Sequence, residues 1–119
     1  GGSIEGGPQP MRLSSGDYLY FYDNTGWEVG YPVGKPDYHP AWAVLDGKDP
    51  TKVLFRASVP LINVSMVWEK DGLTPWCIFA DGISRTVGPT EEDNDFTLWY
   101  GGADTVVGAR RVVVTIAKE

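Results

Sequence analysis

Short stretches in which apolar and polar side chains alternate run along the whole chain, broken at intervals by glycine, proline, asparagine and aspartate. Segments 17–22, 42–45, 53–56, 76–79, 96–100 and 111–116 carry this pattern and are rich in β-branched and aromatic residues, so each reads as a strand. No segment sustains a helical period. Asp49-Pro50-Thr51-Lys52 resembles a capped helix start, but Val53 to Phe55 favour a strand immediately afterwards, and the four residues read as a turn. In segment 17–22, Leu19 and Phe21 fall on one face while Tyr18, Tyr20 and Tyr22 fall on the other. Such a strand belongs where both faces are at least partly covered, as in stacked sheets. Two stretches echo one another: Gly16-Asp17-Tyr18-Leu19-Tyr20-Phe21-Tyr22 and Asn94-Asp95-Phe96-Thr97-Leu98-Trp99-Tyr100 each lead from a polar turn into an aromatic strand. The pattern predicts one all-β domain of antiparallel sheets over residues 1–119, built from two similar modules at about 1–60 and 61–119.

Composition narrows the function. The 15 glycines and 9 prolines are scattered along 119 residues, which suits short strands and many turns. A net charge of -6 without a basic stripe repels a phosphate backbone, so no nucleic-acid partner is expected. No unbroken apolar run is long enough for a membrane helix, and no membrane association is expected. A leader-peptide pattern is not evident, so the chain as given reads as cytoplasmic, an expectation that an upstream segment would change. Cys77 is the one cysteine and lies in an apolar run, which makes it a buried small hydrophobe rather than a nucleophile, and excludes an intrachain disulfide. His39 is the one histidine, taken here as a loop residue. A multi-histidine metal centre is thereby excluded, no metal site is expected, and a catalytic triad would hang on that loop position. Asn63-Val64-Ser65 fits a glycosylation acceptor that matters only in a secreted eukaryotic protein.

Two places could carry chemistry. In the run Tyr100-Gly101-Gly102-Ala103-Asp104-Thr105-Val106-Val107-Gly108, a strand ends in glycines and leaves Asp104 at a strand-end loop, where all-β scaffolds commonly build sites. An aspartate after glycines is also ordinary turn chemistry. The loop 24–40 carries Trp27, Tyr31, Lys35, Asp37, Tyr38 and His39. Aromatic faces suit the C–H faces of sugar rings and charged groups suit hydroxyls, so the loop reads as a carbohydrate surface; the alternative is that Trp27 and Tyr31 pin it to the domain.

Read in order, these segments resemble the C-terminal part of glycoside hydrolase family 130, the β-mannoside phosphorylases and related mannosidases. The resemblance rests on Gly6-Gly7-Pro8-Gln9-Pro10-Met11, the strand that follows, Tyr38-His39-Pro40-Ala41-Trp42-Ala43-Val44-Leu45-Asp46, and Asp49 through Arg56. It continues in Trp68-Glu69-Lys70-Asp71-Gly72, Phe79-Ala80-Asp81-Gly82 and residues 100–108. It implies about two blades of a five-bladed β-propeller, a mannose-containing oligosaccharide as partner, and no cofactor beyond inorganic phosphate as co-substrate should the reaction be phosphorolysis. In that family the general-acid aspartate comes from the N-terminal part, so no catalytic residue is assigned here and the chain is expected to be inactive alone. Asp104 matches a glycone-subsite aspartate and Tyr38 a tyrosine on the nucleophile side. Asp23, His39 and Trp27 complete the expected sugar-contacting set.

Two departures stand out. A lysine common before the glycine and proline turn has no counterpart near Ser3, and Asp23 stands where a histidine is usual after the strand tyrosine. A carboxylate there disfavours a phosphate dianion and favours hydrolysis over phosphorolysis. Open blade edges predict self-association. Two further readings compete: a non-catalytic β-domain that binds a glycan or protein through loop 24–40, and a small complete enzyme pairing Asp104 with Asp23 or Asp81.

Overall fold

The computed structural model describes residues 4–25, 38–62, 64–70, 72–73, 77–86 and 94–115. Most of the loop 24–40, including Trp27, lies outside these residues, as do Asn63, Trp76 and Ile116. The order of elements is β1 (Ile4–Gly6), β2 (Met11–Arg12), β3 (Tyr18–Asn24), β4 (His39–Leu45), β5 (Val53–Arg56), α1 (Val67–Lys70), β6 (Ile78–Arg85), β7 (Asp95–Gly102) and β8 (Val106–Val113). Every pairing is antiparallel.

In the first sheet β3 is flanked on one side by β4 and then β5. Its other edge is shared by β1, with Glu5 opposite Asp23, and β2, with Met11 opposite Leu19. The second sheet is a β6-β7-β8 meander. The alternation along β3 works as its sequence implies. Leu19 and Phe21 join Leu13 and, from the second sheet, Ala80, Ile83, Phe96 and Leu98 in one buried cluster. Tyr20 and Tyr22 face away and stack on each other at 6.3 Å beside Ala41 and Ala43. The Arg56 guanidinium lies 5.4 Å from the Tyr22 ring centre, and its Nε donates to the Tyr22 hydroxyl (3.0 Å).

At the end of the sheets remote from Asp23, side chains bridge the two layers. Asn94 Oδ1 accepts from the Ser14 amide and Asn94 Nδ2 donates to Ser14 Oγ, both at 2.8 Å, and Arg85 donates to the Arg12 carbonyl. Beside this bridge a recess of about 350 Å³ opens between Leu19, Phe21 and Trp42 on one sheet and Val112 to Thr115 on the other.

Three expectations need correction. His39 is not a loop residue: it is the first residue of β4 and is fully buried. A helical turn exists where none was expected, because the Glu69 carboxylate returns to the amides of Met66 and Ser65 (2.9 Å each) and satisfies the donors that a helix start leaves open. The last strand begins at Val106 rather than 111, since β7 supplies its hydrogen-bond ladder from Gly102 back to Asp95.

Candidate functional site

Antiparallel pairing brings the end of β3, the start of β4, the start of β6 and the end of β7 to the same edge of the molecule. Main-chain groups join the sheets there. The Ile78 amide donates to the Tyr38 carbonyl (3.0 Å), while within the second sheet the Ala103 amide donates to the Cys77 carbonyl (2.8 Å) and extends the β6–β7 pairing by one step. The Ala80 amide donates to Asp23 Oδ1 (2.8 Å), so one carboxylate oxygen helps join the layers.

Asp23 is fully buried, and its second oxygen, Oδ2, has no hydrogen-bond partner. Burial pushes its carboxyl up to about 7; the Ala80 amide opposes this, while the charges of Asp81 and Glu5 add to it. A β-bulge presents Asp81: Ala80 pairs with Tyr100 and Gly82 with Trp99, leaving the residue between them out of register and exposed. Glu5 faces Asp23 across the β1–β3 pair and accepts from the Tyr38 hydroxyl (3.1 Å). The Tyr38 ring packs at a tilt against Phe79, 5.8 Å between centres. That hydrogen bond to Glu5, with the Glu5 charge, raises the Tyr38 hydroxyl above its ordinary value, and Cys77 and Asp104 add smaller contributions.

Cys77 is buried among these groups. Burial first, then the charges of Asp104, Asp23, Asp81 and Glu5, pushes its thiol up to about 12, so it is not a thiolate nucleophile at neutral pH. Asp104 is exposed at the tip of the β7–β8 turn, where Ala103 (φ 49°) and Asp104 itself (φ 55°) are left-handed. Among the described residues, no group of three histidine, cysteine, aspartate or glutamate side chains is arranged to hold a metal ion.

Of the residues singled out in the sequence, Tyr38, Asp23 and Asp104 gather at this edge, with Asp81 beside them. His39 does not join Asp23: it pairs with Asn24, one step along the ladder, and strand alternation assigns it to the opposite face of the sheet. Trp27 lies outside the described residues. Sequence reasoning passed over Glu5, although an acidic residue two positions before Gly7-Pro8, close to the missing lysine, was the available signal. It also passed over Glu69, the one fully buried residue of a four-residue helix.

Residues 2–117 match glycoside hydrolase family 130, described as beta-1,4-mannooligosaccharide phosphorylase, and the chain belongs to that family. It is 31% identical over 106 residues to a 1,2-beta-oligomannan phosphorylase of Thermoanaerobacter sp. (strain X514), a match covering 87% of this chain and 30% of that protein. It is also 31% identical over 104 residues to a beta-1,2-mannobiose phosphorylase of Listeria innocua, covering 87% of this chain and 25% of the relative. The solved structure of beta-1,2-mannobiose phosphorylase from Listeria innocua, in complex with beta-1,2-mannobiose, superposes with a TM-score of 0.74 at 26% identity. That superposition covers 92% of this chain and 27% of the other. A putative glycoside hydrolase from Bacteroides ovatus gives a TM-score of 0.69 at 26% identity, covering 91% and 30%. The chain therefore spans less than a third of the length of these relatives.

Proposed function

We propose that this chain supplies one wall of a mannoside-binding site in a longer glycoside-cleaving protein, and that the reaction served is hydrolysis. In this reading the two sheets are two neighbouring blades of a five-bladed propeller. Asp104 and Tyr38 contact the sugar, Asp23 and Glu5 face the attacking water, and the general acid comes from outside the chain.

The observation that carries this reading is the charge environment of Asp23. It is a buried carboxyl with an unpartnered oxygen, shifted to about 7, and the charged neighbours that bear on it, Asp81 and Glu5, are acidic. A phosphate dianion brought here would meet like charge, whereas a base near neutrality with a vacant acceptor is suited to taking a proton from water. The hydroxyl of Tyr38, held by Glu5, adds a polar group at the same edge.

The test is product analysis on the intact polypeptide with β-1,2-mannobiose, with and without inorganic phosphate. The expected product is free mannose at a rate independent of phosphate; phosphate-dependent release of mannose 1-phosphate would overturn the reading. The isolated 119-residue chain is expected to show no turnover. General-acid catalysis contributes about a hundredfold to ten-thousandfold, and its residue is placed elsewhere.

A further inference from the structure

Asp104 sits in left-handed backbone that aspartate tolerates, but it is led into that turn by an alanine that does not favour it. Ala103 and Asp104 are consecutive left-handed residues, and alanine has neither glycine's freedom nor a polar side chain to stabilise that geometry. Such backbone persists only where the surroundings over-determine it.

The surroundings that do so lie on α1 and the Gly72-Leu73 pair. Gly72 packs directly on the turn: a Cβ there would lie 2.4 Å from Thr105 Oγ1 and 2.5 Å from the Ala103 carbonyl oxygen. The Leu73 amide donates to Thr105 Oγ1, and Thr105 Oγ1 donates to the Ala103 carbonyl, both at 3.0 Å. From the other side, the Ala103 amide donates to the Cys77 carbonyl (2.8 Å), and the Cys77 amide donates in turn to the Glu69 carbonyl (3.3 Å).

Glu69 fastens this segment to the strand that leads into the turn. It is fully buried; Oε1 accepts from the amides of Ser65 and Met66, and Oε2 accepts from the Tyr100 hydroxyl (2.7 Å). The Trp68 ring stacks on the Tyr100 ring at 5.8 Å. Burial pushes the Glu69 carboxyl up, but the Met66 and Ser65 amides and the Tyr100 hydroxyl outweigh it and leave it below its ordinary range, so it is ionised at neutral pH.

We propose that α1 and Gly72-Leu73, latched to β7 by Glu69 and Tyr100, form a clasp that positions Asp104 for sugar binding. The proposal rests on the reading of Asp104 as a sugar contact and assigns Glu69 as a positioning residue acting through the turn. It places specificity partly outside the residues that touch the ligand.

The test measures the affinity of the intact polypeptide for β-1,2-mannobiose by calorimetry, well below its melting temperature. Tyr100→Phe removes the latching hydroxyl while keeping the ring on Trp68, Gly72→Ala drives a methyl into the turn, and Ile83→Val is a core change remote from it. The two clasp variants are expected to weaken binding by about tenfold to a hundredfold, the scale of a displacement near 1 Å, while Ile83→Val leaves affinity unchanged. Adding Asp104→Ala to either clasp variant is expected to weaken binding little further, because the same contact is already lost.

Clasp variants that lower the melting temperature without changing affinity would overturn the inference, as would an Asp104→Ala effect that adds in full. If Gly72→Ala does not fold, Tyr100→Phe carries the same readout. Asp104→Ala alone separates the two levels. If it weakens binding and the clasp variants do not, only the clasp falls; if it has no effect, the sugar-contact reading falls and the clasp's role falls with it.

Discussion

Asp23 combines complete burial with a carboxyl that takes up a proton near neutral pH, and the sign of the stability effect follows from that. Its folded value of about 7 stands above its ordinary 3.8, so the folded state binds the proton more tightly than the unfolded state. Its stabilising effect is full below pH 4 and is lost as the pH rises to about 7, a swing of about 4 kcal/mol at most, at about 1.4 kcal/mol per unit. Asp23→Asn keeps an acceptor for the Ala80 amide and removes the ionisation. The variant is expected to unfold at higher urea than the parent at pH 8 but not at pH 5 and, on the proposed hydrolytic reading, the intact polypeptide carrying it is expected to lose about a hundredfold or more of its rate. A parent whose stability is flat between those pH values would contradict the shift. The same residue shows what sequence could reveal: the resemblance singled out Asp23 as an expected departure, a carboxylate where a histidine is usual, because residue identity is all that such a reading needs. Its burial and its pairing with Ala80 were not visible, since the partner lies 57 positions away on another sheet.

Among the elements, β7 and β8 carry the most instructive contrast. Tyr100 pairs with Gly108, and a Cβ at Gly108 would lie 2.5 Å from Tyr100 Cζ and 2.6 Å from the Trp68 ring. Two stacked rings cannot yield as a flexible side chain would. Gly108→Ala is therefore expected to cost about 1–3 kcal/mol in urea unfolding, whereas Val107→Ala at an exposed position of the same strand should stay within about 0.5 kcal/mol. The close approach of the rings also explains why β8 was hidden. Gly108 and the Arg110-Arg111 pair interrupt the apolar alternation, so local pattern places the strand start at 111. The ladder to β7 overrides that preference and extends the strand to Val106. By contrast, Val53–Arg56 was legible to the residue, because its own β-branched and aromatic side chains and the flanking turn agree with its pairing to β4. The short helix escaped notice for the opposite reason: a long-range tyrosine and a buried glutamate hold four residues that have no periodicity of their own.

For the whole molecule, the faces that remain open matter as much as those that close. Tyr20, Tyr22, Ala43 and Leu45, with Ile4, Val53 and the Arg56 stem, line an apolar groove of about 270 Å³ on the outer side of the first sheet. Among the described residues β5 and β8 each pair on one side only, and Val53, Leu54, Phe55, Val107 and Val113 are more than half exposed. Chains that leave strand edges and apolar faces uncovered pair with themselves. The isolated 119-residue chain is expected to associate in a concentration-dependent way by size-exclusion chromatography with light scattering, and Leu54→Lys should shift it toward monomer. A monomer at all concentrations would count against the open edges as sticky surfaces. At this scale the sequence was most legible: the alternating pattern and the collinear motifs together specified antiparallel β-structure and the family. The pattern left open which carboxylates would meet, because that depends on the register between strands distant in sequence.

The uneven fastening of the two layers has a mechanical corollary. Amide-to-carbonyl and amide-to-carboxylate bonds rivet them beside Asp23, whereas the opposite end relies on side-chain contacts around a recess of about 350 Å³. The pair should open like a book with its spine at the carboxylates: deuterium enters the amides of Val112 and Val114 well before those of Ile78 and Ala80. Thermal breathing is thereby directed away from the acidic edge, which keeps its spacing while the rest of the sandwich flexes.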